Sequence, residues 1–255
     1  MTPSTPCIAT IAKVTALAVI LSACARARQP GGAPAGSSAS GRTSAAASAA
    51  PAAEPREAST TVPVPGRCDT PRMGPPDAVG CYVTGTAQLG AAPSTPLFWH
   101  LDTYPTRAAA ESARRGRGTV AEAHGRVWLF TIAEADWRSE GGQRVARVGP
   151  LPLTPGRVYA AHYIEGVVPP GARTPPHRHA GPEAWYVLEG TNCVQTPEGT
   201  RTASAGESLI VPEGPPMVLT GVGPTVRRSM AVIVHDAAKP WTIVASDWTP
   251  KGDCP

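Results

Sequence analysis

The segment GARTPPHRHAGPEAWYVLEG, residues 171–190, concentrates side chains that could hold a metal ion. His177 and His179 are separated by one residue, and alternate side chains of an extended strand point to the same face. Glu183 follows the turn sequence Ala180-Gly181-Pro182, so it can return as a cross-strand neighbour of the histidines. Two neutral imidazoles and one carboxylate, with coordination positions left open, match the ligand set of non-haem iron sites.

The region that surrounds this segment predicts a closed β structure. From about residue 151 onward, short apolar runs alternate with glycine and proline, which is typical of a sandwich or barrel. The candidate strands are Val158–Val168, Glu183–Leu188, Ser208–Val211, Met217–Thr220, Met230–Val234 and Thr242–Ala245.

The spacing of the histidines resembles the first signature motif of the cupin superfamily. Gly171 is followed by five residues, His177, one residue, His179, three residues, Glu183, six residues and Gly190. The resemblance implies an all-β fold, a cupin-type double-stranded β-helix (jelly-roll) barrel. It also implies that His177, His179 and Glu183 bind one divalent metal ion per chain, with iron, manganese, copper, nickel and zinc all possible.

The second cupin motif is only partly matched. Gly206, Pro212 and Gly214 have the expected spacing, but Met217 occupies the position of the family's ligand histidine and Gly221 that of its asparagine. Three interpretations stay open. Three side chains and water hold the metal, Met217 is a weak soft ligand that favours copper, or the barrel binds an organic molecule without metal.

Other histidines could replace the lost ligand. His162 lies on the strand before the first motif and His235 follows a later strand, although a lone strand histidine is more often structural. We expect no metal role for His100 and His124. If Glu183 faces the cavity, alternation places Trp185 there too, where core packing is its more usual role.

A different texture precedes the barrel. Residues 67–150 read as a small α/β lead-in that packs on the barrel, which itself occupies residues 151–255. Thr106 can cap a helix that Gly116 ends. The candidate elements are strands or apolar runs over Gly80–Leu89, Leu97–Leu101 and Gly125–Ile132, and a helix over Arg107–Arg115.

The N-terminus predicts export and lipidation. Val14–Ala23 is an apolar run too short to span a bilayer, and Leu21-Ser22-Ala23-Cys24 resembles the bacterial lipobox. The resemblance implies a signal peptide over residues 1–23 and a lipid on Cys24, and the alternative is an ordinary signal peptide with a chance cysteine. Residues 24–66, rich in Ala, Pro, Gly and Ser, predict a disordered tether. We therefore expect an extracytoplasmic, lipid-anchored protein of the cell envelope.

Cysteine usage agrees with an oxidising compartment. Four cysteines remain after the signal peptide and Cys24 are set aside, and an even number predicts two disulfides with three possible connectivities. We prefer Cys68–Cys81, which closes a short loop, and Cys193–Cys254, which ties the chain end to the barrel. Four buried free thiols are the alternative.

Composition narrows the partners. The net charge is +4 and 16% of residues are charged, so no nucleic-acid surface is expected. The cluster Arg114, Arg115 and Arg117 fits the end of a helix instead. No phosphate-binding glycine loop, nucleophile elbow or HExxH helix is present in the sequence.

The sequence leaves three functions open. The cupin resemblance implies a metal-dependent enzyme of the dioxygenase, oxidase, isomerase or decarboxylase type acting on a small oxygen-rich molecule. A tethered barrel that binds a small molecule or metal without turnover is the second hypothesis, and a degenerate structural cupin is the third. The resemblance also allows a homodimer.

Overall fold

A computed structural model describes residues 68, 74–75, 77–252 and 254 of the 255-residue chain. The expected signal peptide, Cys24 and the whole predicted tether (residues 24–66) lie outside the described residues. Within the described part, no helix has the length and apolar character needed to cross a membrane.

The described chain consists almost entirely of β-strands. The first elements are β1 (Gly80–Ala91), β2 (Phe98–Tyr104), α1 (Arg107–Arg114), β3 (Thr119–Ala123), β4 (Arg126–Ala133) and β5 (Gln143–Val148). They are followed by β6 (Val158–Val168), β7 (His177–Arg178), β8 (Glu183–Glu189), β9 (Thr191–Thr196) and β10 (Gly199–Ser204). The last are β11 (Ser208–Val211), β12 (Val218–Val222), β13 (Arg227–Asp236) and β14 (Ile243–Val244).

Two antiparallel sheets form the barrel. The first, called the barrel sheet, has the strand order β1-β6-β13-β8-β11, and the second has the order β10-β9-β12. Ile164, Trp185 and Ile233 from the barrel sheet share one apolar cluster with Val194 and Leu219 from the second sheet. This shared core is that of a cupin-type jelly roll, and it confirms the predicted fold class.

The barrel sheet is buried on both faces. Its inner face carries Ile164, Trp185, Ala231 and Ile233 towards the barrel interior. The alternate residues form its outer face, where Tyr163, Ala184, Met230 and Val232 pack against a third sheet. Burial on both sides explains why β6 and β13 read as nearly continuous apolar runs.

The third sheet is the lead-in sheet, with strand order β3-β4-β2-β5. Its Trp99, Trp128 and Phe130 are fully buried against the outer face of the barrel sheet. Phe130 stacks on Tyr163 with ring centroids 4.9 Å apart, which joins the two sheets through aromatic contact.

The helix of the lead-in region follows the predicted capping. The Thr106 side chain accepts a hydrogen bond from the backbone N–H of Ala109, 3.2 Å away. The helix ends one residue before the predicted end, because Arg115 already adopts a left-handed conformation with φ of 46°. Gly116 continues this turn with φ of 76°, which a glycine adopts without strain.

Strand pairing crosses the boundary expected near residue 150. β1 precedes that boundary, yet it is an edge strand of the barrel sheet and pairs with β6. The paired residues run from Gly80 opposite Val167 to Ala91 opposite Val158. The sequence predicted a strand here but could not assign it to the barrel sheet, because its Gly-rich and Thr-rich sequence has no clear alternation.

The four cysteines form the two preferred disulfides. Cys68 joins Cys81 with Cα atoms 4.7 Å apart, and Cys193 joins Cys254 with Cα atoms 6.0 Å apart. The second bond fixes the C-terminal segment to β9. Gln195 strengthens this attachment, since its Nε2 donates to the carbonyl oxygen of Gly252 at 3.0 Å.

Candidate metal site

The histidine pair lies where the chain passes from the second sheet to the barrel sheet. His177 and Met217 exchange both backbone hydrogen bonds, at 3.1 and 2.7 Å, so β7 extends the β12 side of the barrel. The carbonyl oxygens of Ala180 and Pro182 then accept from Asp236 and Val234 on β13, at 2.8 and 2.9 Å. The backbone therefore crosses the barrel end within three residues.

Gly181 makes this crossing possible. A Cβ atom at this position would overlap the carbonyl oxygen of Val234 and approach the Cα of His235 to 2.8 Å. A glycine is therefore required for the chain to lie this close to β13.

The prediction that Glu183 returns as a cross-strand neighbour of the histidines was wrong. β7 pairs with β14, whereas β8 pairs with β11 and β13. Glu183 thus meets the histidines from the opposite sheet rather than from a neighbouring strand. At Gly181 the chain crosses to the barrel sheet, so β7 and β8 do not form the hydrogen-bonded pair that strand alternation alone would predict.

The three predicted ligand residues come together in space. The ligand atoms of His177, His179 and Glu183 all lie within 4.8 Å of one another. His179 and Glu183 are 3% and 5% exposed, while His177 is half-buried. The rings of His177 and His179 meet edge to face, with centroids 5.0 Å apart.

Backbone carbonyls fix the tautomer of both rings. His177 Nδ1 lies 2.9 Å from the carbonyl oxygen of Pro175, and His179 Nδ1 lies 2.6 Å from that of Trp241. A carbonyl oxygen only accepts hydrogen bonds, so each Nδ1 carries the proton and donates it. In a neutral ring, Nε2 then holds the lone pair that a metal ion requires.

The site contains two buried acceptor atoms that face each other. His179 Nε2 and Glu183 Oε2 lie 2.9 Å apart, but neither has a hydrogen-bond partner of acceptable geometry among the described residues. Because Nδ1 of His179 donates to the carbonyl oxygen of Trp241, Nε2 of a neutral ring would direct its lone pair at the Glu183 carboxylate. Only a positive species, a proton or a metal ion, satisfies both atoms at once. The donor set therefore fits a divalent metal ion.

Electrostatics favour the neutral form of His177. Burial, and next the neighbouring His179, lower the pKa of His177, with Glu183 and the Pro175 carbonyl acting in the opposite direction. A lowered pKa keeps the imidazole unprotonated at neutral pH and available as a ligand.

Met217 is a core residue opposite His177. Its side chain is 1% exposed and packs in the inner apolar cluster with Trp185 and Ile233. The asparagine position of the second motif is closed to any side chain, because a Cβ on Gly221 would lie 2.7 Å from the carbonyl oxygen of Pro169. The role of Met217 as a fourth ligand stays a prediction.

His162 and His235 form a pair of their own. His235 Nε2 lies 3.2 Å from His162 Nδ1, and the His162 ring stacks on Trp241 with centroids 4.8 Å apart. Burial, with a smaller contribution from His235, lowers the pKa of His162 to about 4. Neither belongs to the cluster of His177, His179 and Glu183, although Trp241 lies next to both groups.

The remaining histidines lie away from the cluster. His100 Nε2 lies 2.9 Å from the carbonyl oxygen of Glu134 in the lead-in region. His124 contacts Glu165 and the carbonyl oxygen of Ser229, which ties the lead-in sheet to the barrel sheet.

The cluster opens into a cavity of about 1180 Å³. Trp185, Leu219, Ile233 and Trp241 contribute apolar walls, so Trp185 both packs in the core and lines the cavity. The C-terminal segment from Pro240 to Gly252 supplies part of the wall.

Sequence reasoning missed two residues of this cavity. Trp241 holds His179 by its carbonyl oxygen and stacks on His162, but it lies outside every motif. Arg227 lines the cavity although it is charged and only 6% exposed. The one signal in the sequence was an arginine at the start of a strand with an apolar centre. Many solvent-exposed strand ends have the same pattern, so this signal does not identify a buried arginine.

The sequence profile of the cupin domain family matches residues 165–219, which include all three cluster residues. The match supports a cupin domain. No curated protein matches the chain.

Several solved structures are similar to part of the cupin barrel. An oxalate oxidase in complex with glycolate aligns over 34% of this chain and 45% of its own, with 21% identity and a TM-score of 0.28. Oxalate decarboxylase from Bacillus subtilis aligns over 36% and 25%, with 20% identity and a TM-score of 0.30. A cupin-2 domain protein from Shewanella frigidimarina aligns over 29% and 68%, with 23% identity and a TM-score of 0.24. The aligned part thus spans less than half of the oxalate oxidase chain.

Proposed function

We propose that the barrel holds one divalent metal ion through His177, His179 and Glu183 and acts as a metal-dependent enzyme on a small oxygen-rich molecule. The observation that carries the proposal is the pair of buried lone pairs at His179 Nε2 and Glu183 Oε2, 2.9 Å apart and open to a large cavity. Oxygenase and isomerase types of reaction are both compatible with this ligand set.

The chain's own residues prepare the site. The carbonyl oxygens of Pro175 and Trp241 hold the two rings so that Nε2, not Nδ1, faces the ligand position. Glu183 adds the negative charge that a divalent cation needs, and the ring of Trp185 walls the cavity with apolar surface. When bound, the metal supplies a Lewis acid for a keto, enol or carboxylate oxygen.

Metal content tests this proposal. The full chain is exported, purified without chelators or a histidine tag, and analysed by metal mass spectrometry. We expect about one metal ion per chain, lost in His179→Ala because this change removes a ligand. His162→Ala is the matched control and keeps the metal. Equal metal in wild type and His179→Ala would contradict the ligand assignment, and loss in the control would implicate the second histidine pair.

A second function is a barrel that binds its ligand without turnover. Met217 at the position of the family's ligand histidine and the apolar cavity walls favour it. The two functions separate on metal removal. A binder keeps its affinity for the small molecule after chelation, whereas an enzyme loses turnover together with the metal.

We further propose that the chain is a lipoprotein of the cell envelope, anchored through Cys24. The lipobox-like sequence ending at Cys24 and the two disulfides support export. Cell fractionation tests it, since wild type should be found with membranes and Cys24→Ser should be released. Equal membrane binding of both would contradict the anchor. The homodimer stays a prediction that sedimentation velocity can check.

A further inference from the structure

Arg227 is a buried cation in the cavity wall, and none of the described residues forms an ion pair with it. It begins β13 and is 6% exposed. Its Nη1 donates to Ser229 Oγ at 2.9 Å, while Nε is buried and finds no hydrogen-bond partner in the part of the chain that the structure describes. None of the ion pairs found among the described residues includes it.

The charge of this arginine persists in spite of its burial. Burial lowers the pKa of Arg227 to about 10, opposed by the charge of Glu183, so the guanidinium stays protonated at neutral pH. A buried charge that lacks a partner carries a large desolvation penalty. An anionic ligand that pairs with the group would offset this penalty.

Small residues leave space around the guanidinium. A Cβ on Gly166 would lie 3.2 Å from Ser229 Oγ and 3.5 Å from Arg227 Nη2, so any larger residue there would crowd the group. Ala231, the next inner residue of β13 after Ser229, also has a short side chain. The cavity wall beside Arg227 is therefore formed by small residues, Gly166, Ser229 and Ala231.

Arg227 and the histidine cluster lie at two levels of one cavity. Glu183 pairs with Ile233 on β13, four residues after Ser229. At about 3.3 Å per strand residue, the two levels are roughly 13 Å apart along the strand. The guanidinium of Arg227 already lies at the level of Ser229, and the charge of Glu183 acts on it across this interval. A molecule with a few carbon atoms can therefore span the interval.

We propose that Arg227 is an anion subsite that pairs with a carboxylate of a small organic acid, whose other end faces His177, His179 and Glu183. The proposal deepens the proposed function and rests on it for the metal-facing end of the ligand. Nε and Nη of a guanidinium form a planar fork that matches a carboxylate. Arg227, Glu183 and a divalent metal ion together carry a charge of about +2, which favours an anionic ligand.

Dicarboxylate binding tests this subsite. Isothermal titration calorimetry measures malonate, succinate and glutarate against their neutral diamides. We expect the best dicarboxylate to bind wild type at least about tenfold more tightly than its diamide, and Arg227→Met to weaken it at least about tenfold. Arg228→Gln is the matched control, because this neighbour pairs with Glu189 at 3.2 Å and should leave binding unchanged.

Three results would overturn the subsite. The first is that wild-type protein binds none of the acids. The second is that Arg227→Met binds them as tightly as wild type. The third is that Arg228→Gln loses as much affinity as Arg227→Met. Thermal unfolding checks the fold, since Arg227→Met removes an unpaired buried charge and should be at least as stable as wild type. If it fails to fold, Arg227→Lys replaces it; weaker binding supports the subsite, and unchanged binding overturns it.

Metal content keeps this test separate from the proposed function. Arg227→Met should hold as much metal as wild type, because it leaves all three ligands in place. If wild type holds no metal, the proposed function fails, and titration of that metal-free protein still decides the subsite. A carboxylate affinity that drops in Arg227→Met supports Arg227 alone, and an unchanged affinity overturns it.

Discussion

The two faces of the barrel sheet are both buried, but against different surroundings. On the outer face, Tyr163 meets Phe130 of the lead-in sheet, and Trp128 stacks on the same phenylalanine at 5.8 Å. These aromatic side chains are at most 1% exposed. The outer face therefore joins two sheets through close apolar packing.

The inner face borders a cavity, where Glu183 and Arg227 of the barrel sheet and His179 of the crossover place polar atoms without partners among the described residues. His179 Nε2, Glu183 Oε2 and Arg227 Nε are all buried and unsatisfied among the described residues. Buried polar atoms of this kind destabilise a fold unless a ligand completes them. The two faces of one sheet can therefore serve different purposes. Apolar packing on the outer face stabilises the fold, and the inner face provides groups that can bind a ligand.

The largest expected effect is on the outer face. Phe130→Ala should lower the free energy of unfolding by about 3–5 kcal/mol, because it leaves a cavity between two sheets. Chemical denaturation measures the loss, and metal content per folded chain should not change. Phe98→Ala, at the half-buried second phenylalanine of the chain, is the control and should cost clearly less. Equal losses of unfolding free energy in Phe130→Ala and Phe98→Ala would contradict the special role of outer-face packing.

A matched pair of glutamate substitutions probes both faces. In Glu183→Gln the amide can donate to His179 Nε2, so the metal-free protein should gain about 1 kcal/mol in free energy of unfolding while metal binding is lost. Glu165→Ala, on the outer face, should instead destabilise, because it removes the acceptor of the backbone N–H of His124, 2.8 Å away. Denaturation of both variants after chelation decides the matter. A destabilised Glu183→Gln would show that these lone pairs are not in conflict.

The last expected effect is a pH dependence from His162, which partial exposure of this side chain to solvent reduces. Its pKa of about 4 lies below the ordinary value near 6.5, so between these values the unfolded chain binds more protons than the folded one. This contribution to stability is therefore complete above about pH 6.5 and is lost as the pH falls towards 4. Melting temperatures of wild type and His162→Phe over this range measure it. An equally steep loss in both would assign the acid sensitivity to other groups.

Much of the barrel could be predicted from short-range patterns. β6 and β11 have the predicted bounds, because glycine and proline flank apolar runs of clear length. β9 and β10 were missed, since Thr191–Thr196 and Gly199–Ser204 are polar and lack a strand signature. β1 pairs far along the chain, which no local pattern reveals.

The candidate site was predictable in its residues but not in its geometry. The spacing of His177, His179 and Glu183 identified the cluster, but the predicted pairing of the two strands across the turn does not form. The crossover depends on the approach of Gly181 to β13, a contact between residues more than 50 positions apart in the sequence. Arg227 and Trp241 join the site through tertiary packing alone, so no motif could name them.

The most direct test is anomalous diffraction from crystals of the metal-loaded protein, at the absorption edge of the metal found. The account predicts one strong peak within coordinating distance of Nε2 of His177, Nε2 of His179 and a carboxylate oxygen of Glu183. A peak beside His162 and His235, or coordination through Nδ1 of either ring, would contradict it. Crystals loaded with each candidate metal that give no peak at this position would contradict it as well.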